Sequence, residues 1–373
     1  MRDERVIKLA HNLLTYSVDL QPGEKVYIEY KGDYTRALLK ELIKKTVALG
    51  GVPFWFDNDE SLQRRLLHGI NEEQMKAYGA IHLGLMRQMD AFLSIRGSDN
   101  PFDLADLTPD ARQWNTVHFM KPVHLEQRVK HTKWAVLRYP NNSMAQLAEQ
   151  PQEIFEEFYF QVCNLDYSRL SKAMDPLVRL MNDTNEVRLV GPGTHLRFSI
   201  KDIPAIKCDG RLNIPDGEIF TAPVRESVEG HITFNAPTMY QGQLFNDISL
   251  RFERGRVVEA TASEGTEALN KILDTDDGAR YVGEFAFGLN PYITTPMKDT
   301  LFDEKIRGSV HLALGTCYDQ APNGNSSAIH WDLVLIQTPA HGGGEVFMDE
   351  KLVRRDGSFL PEDLLGLNPD AFD

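Results

Sequence analysis

The chain is organised around residues Leu301–Gln337, whose sequence is LFDEKIRGSVHLALGTCYDQAPNGNSSAIHWDLVLIQ. The run Ile329–Ile336 has the apolar alternation of a β-strand, so His330 and Asp332, two residues apart, point to the same face of that strand. His311 lies in another short apolar run, which we expect to pair beside the first. Two imidazoles and a carboxylate on neighbouring strands predict a metal site.

The alternative for each histidine alone is a hydrogen-bonded core residue, which is the commoner role of a histidine in an apolar strand. The neighbouring carboxylate changes this balance. Burying Asp332 among Trp, Leu, Val and Ile is costly unless a cation or strong hydrogen-bond donors compensate its charge. No Lys or Arg lies between Arg307 and Lys351 to supply that charge. The combination therefore favours a metal ion.

Length, composition and charge restrict the class of protein. The chain has 373 residues, enough for two domains, and is 42% hydrophobic and 25% charged, as ordinary soluble globular proteins are. A formal charge of -14 argues against nucleic acid and anionic membranes as partners. No run approaches the eighteen or so apolar residues of a membrane span, and residues 1–5 lack the apolar core of a signal peptide. We therefore expect a cytoplasmic protein.

The three cysteines give no metal or disulfide framework. Cys163, Cys208 and Cys317 are far apart in the sequence and odd in number. Neither a set of disulfide bonds nor a CxxC metal site is supported by that spacing.

The first half alternates strands with amphipathic helices. A strand at Lys25–Tyr30, a helix from about Tyr34 to Leu49 and a strand at Val52–Phe56 predict a parallel βαβ unit with a right-handed crossover. The same alternation continues to a strand at Lys133–Tyr139. This succession predicts an open, mostly parallel sheet covered by helices. The region contains neither GxGxxG nor GxxxxGK[ST], so it gives no support to a dinucleotide or a nucleoside triphosphate ligand.

The spacing of apolar residues changes near residue 184. Residues 143–182 have the apolar spacing of helices, whereas short alternating runs separated by Gly, Pro, Asn and Asp follow from Glu186 onward. The predicted fold class is α/β. We expect an N-terminal α/β domain at residues 1–184 and a C-terminal, mostly antiparallel α+β domain at residues 185–373 that carries the metal site.

Three further acids in the second half are candidates for that site. Glu218 follows the turn sequence Ile214-Pro-Asp-Gly, and Glu284 lies in an aromatic strand flanked by glycines, where it is either exposed at a sheet edge or paired. Glu304 is the weakest of the three, because the triplet Asp303-Glu304-Lys305 could equally form a solvated turn.

These residues resemble the metal site of the M29 peptidase family, the thermophilic-type aminopeptidases. The resemblance is carried by NIPDGEIFTAP around Glu218, GEFAFGLNP around Glu284, LFDEKIRGSVHLALG leading to His311, Tyr318 seven residues later, and HWD at His330–Asp332. It extends into the first half through TKWAVLRYP at Thr132–Pro140, and so covers nearly the whole chain.

The resemblance implies a dinuclear metallo-aminopeptidase, which hydrolyses N-terminal residues from peptides with a free N-terminus, and a homodimer. The implied metal ligands are Glu218, Glu284, His311, His330 and Asp332. Glu284 is the preferred bridge between two divalent ions. Carboxylates and imidazoles without a thiolate suit zinc, cobalt or manganese, and such ions activate a water as the nucleophile.

Two residues have roles that stay open at this point. Glu304 is either a sixth ligand or the general base that takes the proton of the water. Tyr318 either donates a hydrogen bond to the developing oxyanion, completes the metal shell, or is only a packed aromatic beside Cys317.

Two alternatives compete with this interpretation. His311, His330 and Asp332 also satisfy the two-histidine, one-carboxylate triad of a non-haem iron(II) enzyme, as in ring-cleaving dioxygenases of the dihydroxypyridine type, which look like relatives of M29 peptidases. A mononuclear iron site does not need both Glu218 and Glu284, and their presence favours the hydrolase. The other alternative is a binding or structural protein without a metal, against which the complete set of candidate ligands argues.

Overall fold

The structure is a computed structural model that describes residues 3–100 and 103–372. The β-strands are β1 Lys25–Lys31, β2 Val52–Asp57, β3 Ala91–Arg96, β4 Lys133–Arg138, β5 Glu186–Gly191, β6 Thr194–Ser199, β7 Ile206–Cys208, β8 Asn213–Ile214, β9 Glu218–Thr221, β10 Glu229–Thr233, β11 Thr238–Tyr240, β12 Gln243–Phe245, β13 Ser249–Glu253, β14 Arg256–Thr261, β15 Val282–Gly288, β16 Ser309–Gly315, β17 His330–Ile336, β18 Glu345–Met348, β19 Lys351–Arg355 and β20 Ser358–Phe359.

The helices complete the element order. The α-helices are α1 Glu4–Asn12, α2 Arg36–Ala48, α3 Glu60–Gly69, α4 Glu72–Met86, α5 Pro109–Asn115, α6 Val129–His131, α7 Asn142–Leu147, α8 Gln152–Cys163, α9 Tyr167–Asp183, α10 Thr266–Leu273 and α11 Thr300–Asp303. Leu13–Ser17 and Thr116–Arg128 are π-helical, and 3₁₀ turns occupy Asp33–Thr35, Asp277–Arg280, Pro339–His341, Glu362–Leu367 and Pro369–Ala371. Within the described residues, no helix has the length and apolar character needed to cross a bilayer.

The chain gathers into two compact units, Met1–Leu165 with Gly210–Pro215, and Asp166–Asp209 with Asp216–Asp373. Helix α9 thus groups with the second unit, and the two-residue strand β8 with the first. The domain boundary that the sequence predicts between residues 184 and 185 stays a prediction. Strand β8 is too short to show any periodicity, so the sequence pattern alone does not reveal the return of the chain to the first unit.

The first unit contains the predicted parallel sheet. Its strand order is β2-β1-β3-β4-β8, and each neighbouring pair runs parallel. Strand β1 is rich in aromatic and β-branched residues, and helix α2 ends at a turn where Gly50 takes a φ of 80°. The predicted βαβ unit is therefore confirmed. Helix α3 is not among the predicted helices; its sequence signal is the N-cap Asp59, whose carboxylate accepts hydrogen bonds from the amides of Ser61 and Leu62.

The second unit contains antiparallel sheets, as the alternating runs predict. The larger sheet has the order β14-β13-β10-β6-β5-β18-β19-β20, and the smaller has β17-β16-β15-β9-β7. Every residue of β15 and β16 is buried, so both faces of the smaller sheet are covered at its centre. The predicted α/β fold class, with a parallel sheet in the N-terminal part and antiparallel sheets in the C-terminal part, is confirmed.

Candidate metal centre

Three strands of the smaller sheet bring the predicted ligands to one face. In an antiparallel pair, residues directly opposite each other point to the same side of the sheet. Glu284 on β15 lies opposite Ala313 on β16, and Ala313 lies opposite Asp332 on β17. His330 is two residues before Asp332 and His311 two before Ala313, so both imidazoles share that face. The predicted common face of His330 and Asp332, and the pairing of the His311 strand beside theirs, are confirmed.

The fourth strand adds Glu218, which lies opposite Gly288 at the end of β15. The positions between the acids and histidines on this face are small residues, namely Ala286, Gly288, Ala313 and Gly315. Small side chains leave room above the sheet, and the longer acidic and imidazole side chains converge in that room.

The opposite face of the same strands is apolar, and its packing holds the strands in place. Phe285, Phe287 and Trp331 are each at most 1% exposed. The Phe285 ring packs edge-on against Phe198 at 4.9 Å between centroids, and Trp331 stacks on Tyr240 at 4.5 Å. A close-packed aromatic layer of this kind holds the strands in register, and therefore holds the polar side chains above them in a fixed arrangement.

Glu284 lies between the two histidines. Its Oε1 is 3.5 Å from His311 Nε2, and its Oε2 is 3.1 Å from His330 Nε2. One carboxylate oxygen thus faces each imidazole. This is the arrangement expected of a carboxylate that bridges two cations.

The outer acids each face one histidine. Glu218 Oε2 lies 3.6 Å from His311 Nε2, and Asp332 Oδ1 lies 3.5 Å from His330 Nε2. His330 Nδ1 is 2.9 Å from the carbonyl oxygen of Thr316. Because a carbonyl only accepts, Nδ1 carries a proton and donates it there, which leaves Nε2 on the side of the carboxylates, where it can exchange its own proton for a cation.

Several buried atoms of this cluster have no hydrogen-bond partner. They are Glu218 Oε2, both ring nitrogens of His311, and His330 Nε2. Ligand atoms of Glu218, Glu284 and His311 all lie within 4.8 Å of one another, as do those of Glu284, His330 and Asp332. Buried polar groups left unsatisfied are costly, and a cation satisfies acceptor atoms that point at a common centre. The residues present fit a bound metal.

Electrostatics inside the cluster favour added positive charge. Burial raises the pKa of the Glu218 carboxyl to about 7. Burial alone would lower the pKa of both histidines, but the surrounding carboxylates raise it, to about 9 for His311 and about 11 for His330. The imidazoles therefore hold protons when nothing else supplies positive charge, and a metal ion takes the place of those protons.

A family model described as thermophilic metalloprotease (M29) matches residues 2–359. The chain belongs to this family. It is therefore a metal-dependent peptidase, a hydrolase, and the family resemblance that the sequence predicts is confirmed.

Two relatives with known names match most of this chain and most of their own length. Aminopeptidase T of Thermus thermophilus is 29% identical over 95% of this chain and 96% of its own length. Aminopeptidase 2 of Geobacillus stearothermophilus is 26% identical over 85% of this chain and 84% of its own length.

Two solved structures are similar over nearly the whole chain. Wild-type AmpT from Thermus thermophilus matches with a TM-score of 0.78 and 25% identity, covering 96% of this chain and 99% of that one. The 2,5-dihydroxypyridine dioxygenase of Pseudomonas putida KT2440 matches with a TM-score of 0.62 and 12% identity, covering 96% and 98%. The second likeness shows a shared fold and nothing about chemistry.

The triplet Asp303-Glu304-Lys305 is not the solvated turn that the sequence allows. Asp303 is 5% exposed and Lys305 is fully buried. The Lys305 ammonium forms an ion pair with the Glu304 carboxylate, and its Nζ lies 3.7 Å from Glu218 Oε1. Burial alone would lower the pKa of Lys305, but Glu218 and Glu304 hold it well above its usual value, so the side chain is charged.

Lys305 is the main site residue that the sequence pattern does not predict. It lies just before the interval between Arg307 and Lys351 that contains no Lys or Arg. Asp216 was also missed, because Pro215-Asp216-Gly217 is a turn signature. Ligand atoms of Cys208, Asp216 and Glu218 lie within 4.8 Å of one another, but burial and the two acids raise the pKa of the Cys208 thiol well above its usual value. No histidine belongs to that group.

Tyr318 lies beside the cluster. Its ring centroid is 4.7 Å from that of His330 and 5.3 Å from that of Phe220, and the residue is 45% exposed. A phenol that is close to the histidines and also open to solvent is well placed to meet a substrate.

Proposed function

We propose that this metallopeptidase is an aminopeptidase that holds two divalent cations on Glu218, Glu284, His311, His330 and Asp332. Aminopeptidase is the activity that the names of its relatives share. Its substrates are peptides. The observation that carries the two-ion proposal is the position of Glu284, which directs one carboxylate oxygen to each histidine.

The charges of the buried groups support two ions. Asp216, Glu218, Glu284 and Asp332 are each at most 9% exposed, and Glu304 adds a fifth carboxylate beside them. Lys305 contributes one positive charge. Two divalent cations bring the total to five, which balances the five carboxylates, whereas one ion leaves a shortfall of two positive charges that protonated imidazoles would have to supply.

The donor set restricts the identity of the ions. Three carboxylates and two imidazoles, in two groups that contain no cysteine, provide hard and borderline ligands. Zinc, cobalt and manganese suit such a site better than copper or an iron–sulfur cluster.

Divalent cations bound here would acidify a water toward neutral pH and polarise the scissile carbonyl. The chain's own residues do the rest. We assign to Glu304 the acceptance of the proton from the attacking water, since its carboxylate pairs with the Lys305 ammonium and interacts electrostatically with Glu218, Asp332 and His311. Tyr318 donates its phenolic hydrogen bond to the developing oxyanion.

The test is an assay of amino-acyl p-nitroanilides and short peptides by the chelator-stripped protein after addition of zinc, cobalt or manganese. We expect activity to return with metal, two ions per chain by elemental analysis, and resistance of N-acetylated peptides, which lack the free amine. One iron per chain together with ring cleavage of 2,5-dihydroxypyridine would overturn the assignment in favour of a dioxygenase. A chain that binds no divalent metal at all would reject every version of it.

The homodimer and the cytoplasmic location stay predictions. The first rests on the family resemblance and the second on the expectation drawn from the sequence, in which no run has the apolar length of a membrane span. Light scattering on the purified protein tests the first, and fractionation of the source cells tests the second.

A further inference from the structure

Residues 316–329 form the loop that joins β16 to β17 and carries Tyr318. At the start of this loop, the carbonyl oxygen of Thr316 accepts the hydrogen bond of 2.9 Å from His330 Nδ1. The Tyr318 ring lies 4.7 Å from that of His330, but the residue is 45% exposed, so neighbouring side chains enclose only part of it. The direction in which the Tyr318 hydroxyl points therefore depends on how the loop backbone is held.

A buried asparagine ties this loop to the end of β16. Asn325 is 3% exposed, and its Nδ2 donates hydrogen bonds to the carbonyl oxygens of Gly315, at 2.6 Å, and Gly278, at 2.9 Å. Gly315 is the last residue of β16, and Gly278 lies in a 3₁₀ turn of the same unit. One side chain thus joins the loop to two segments that precede it in the sequence.

The backbone of Asn325 closes the part of the loop that contains Tyr318. The carbonyl oxygen of Asn325 accepts a hydrogen bond of 3.2 Å from the amide of Cys317, and its amide donates one of 3.0 Å to Asn323 Oδ1. Inside this segment, the amide of Ala321 donates to the carbonyl oxygen of Tyr318 at 3.1 Å. Tyr318 therefore lies in a short closed turn whose two ends meet at Asn325.

Arg225 fixes the direction of the Asn325 amide group. Its Nε donates a hydrogen bond of 3.0 Å to Asn325 Oδ1, and its guanidinium packs over the Tyr281 ring at 3.6 Å from the centroid. A side-chain amide has a donor end and an acceptor end, and each end of this one meets a complementary partner. Replacing Nδ2 by an oxygen would set a carboxylate against two carbonyl oxygens, which is costly in a buried position.

From this geometry we propose that Asn325 is a positioning residue that fixes the 316–329 loop and thereby holds the Tyr318 hydroxyl where it can donate to the reacting carbonyl. The inference rests on the oxyanion role that the proposed function gives to Tyr318. The side chain of Asn325 bonds to two backbone carbonyls and to Arg225, so its effect on the reaction passes through the loop. Once the Tyr318 hydroxyl is removed, most of that effect should disappear.

The test compares Asn325→Asp, Tyr318→Phe and the double variant, each as the full chain loaded with zinc, in the p-nitroanilide assay. Asn325→Asp keeps the size of the side chain and the acceptor that faces Arg225, but loses both donors. We expect its kcat to fall about 10²-fold with KM within about threefold, because a displacement of about 1 Å costs that much in rate. In the double variant kcat should equal that of Tyr318→Phe within about threefold, whereas independent losses multiply. The metal content should not change.

A second measurement reports on the loop without catalysis. Chymotrypsin cleaves after aromatic residues of opened segments, and the rate follows the population of the open form. In chelator-stripped protein, cleavage after Tyr318, identified by mass spectrometry, should be at least about tenfold faster in Asn325→Asp than in the wild type.

Asn235→Asp is the matched control. Asn235 Nδ2 donates a hydrogen bond of 2.9 Å to the carbonyl oxygen of Ile336, at the end of β17 away from the loop. The same substitution there removes a donor to a backbone carbonyl in the same unit. It should lower stability while leaving both kcat and cleavage after Tyr318 as in the wild type.

A wild-type kcat in Asn325→Asp, unchanged cleavage after Tyr318, or a double variant in which the two losses multiply would overturn the proposal. If Asn325→Asp fails to fold, Arg225→Met decides, since it removes only the donor to Asn325 Oδ1, from a side chain that is 32% exposed. Its kcat should fall about fivefold, as expected for one hydrogen bond, and no further when Tyr318→Phe is added; an unchanged kcat contradicts the proposal. A wild-type kcat in Tyr318→Phe, or fewer than two ions in the wild type, would instead count against the proposed function.

Discussion

Each unit buries a glutamate on a central strand near two histidines, and only one of these groups has the features of a metal site. In the first unit Glu29 is 7% exposed on β1, and its Oε1 accepts a hydrogen bond of 2.9 Å from the Ser94 hydroxyl on β3. In the second unit Glu284 on β15 has two imidazoles as its nearest charged neighbours. The same residue types are thus used in two ways.

The histidines of the two regions differ in the direction of their pKa shifts. Burial lowers the pKa of His82 and His124, which pack edge-on against Phe119. Carboxylates overcome burial and raise the pKa of His311 and His330. Among the described residues, every group of side chains that could hold a metal lies in the second unit. A buried acid beside histidines is therefore weak evidence for a metal, whereas unsatisfied acceptor atoms that converge are strong evidence.

The largest expected effect is that of Glu284→Gln, which keeps the shape of the side chain and removes the bridging charge. A bound metal contributes several kcal/mol of transition-state stabilisation, and 1.36 kcal/mol is worth tenfold in rate. We expect the metal content to fall below two ions per chain and kcat/KM to fall by about a thousandfold or more. Elemental analysis and the p-nitroanilide assay measure both. A variant that keeps two ions and near-normal activity would remove Glu284 from the bridging role.

Tyr318→Phe should have the next largest effect. Loss of one oxyanion donor costs about 10²- to 10³-fold in kcat. The metal content should not change, because the ring of the variant packs against His330 as before. Steady-state kinetics together with elemental analysis separate the two quantities. If kcat stays within about threefold of the wild type, Tyr318 is only a packed aromatic.

The sequence predicts the strands that carry the site, but it does not predict which charged side chains of the site are buried. The alternation of side chains along β17 is a local property, so the shared face of His330 and Asp332 could be predicted from the sequence alone. The burial of Glu284 could not, because a glutamate flanked by glycines is equally compatible with a sheet edge, and only the pairing of β15 on both sides settles it. Burial of Lys305 is likewise a tertiary effect: a charged triplet is usually solvated, and nothing local signals that helix α11 ends inside the core.

The histidines of the first unit allow a test of the opposite pKa shift. The pKa of His124 is lowered from 6.5 to about 4, chiefly by burial. Between these values the unfolded chain binds a proton that the folded chain does not, so stability is full above pH 6.5 and falls as the pH drops toward 4. Relative to His124→Phe, whose ring fits among Phe92 and Phe119, the wild type should lose roughly 2 kcal/mol of unfolding free energy between pH 7 and pH 5.

Urea unfolding of both proteins at the two pH values measures this difference, and other titrating groups cancel in the comparison. A wild type that loses no more stability than His124→Phe on acidification would mean that His124 is protonated in the folded state. The first-unit histidines would then resemble those of the metal centre, and the contrast between the two regions would fail.

Glu29→Gln should have the smallest effect and tests the contrast most directly. The amide oxygen of glutamine still accepts the hydrogen bond of Ser94, so only the charge-assisted part is lost, which is about 1 kcal/mol. Metal content and kcat/KM should equal those of the wild type, unlike the same substitution at Glu284. The two substitutions are chemically identical, and both remove a buried carboxylate from a central strand. A loss of metal from Glu29→Gln would mean that burial of the acid alone sets metal binding, and that the convergence of unsatisfied ligand atoms in the second unit has no special role.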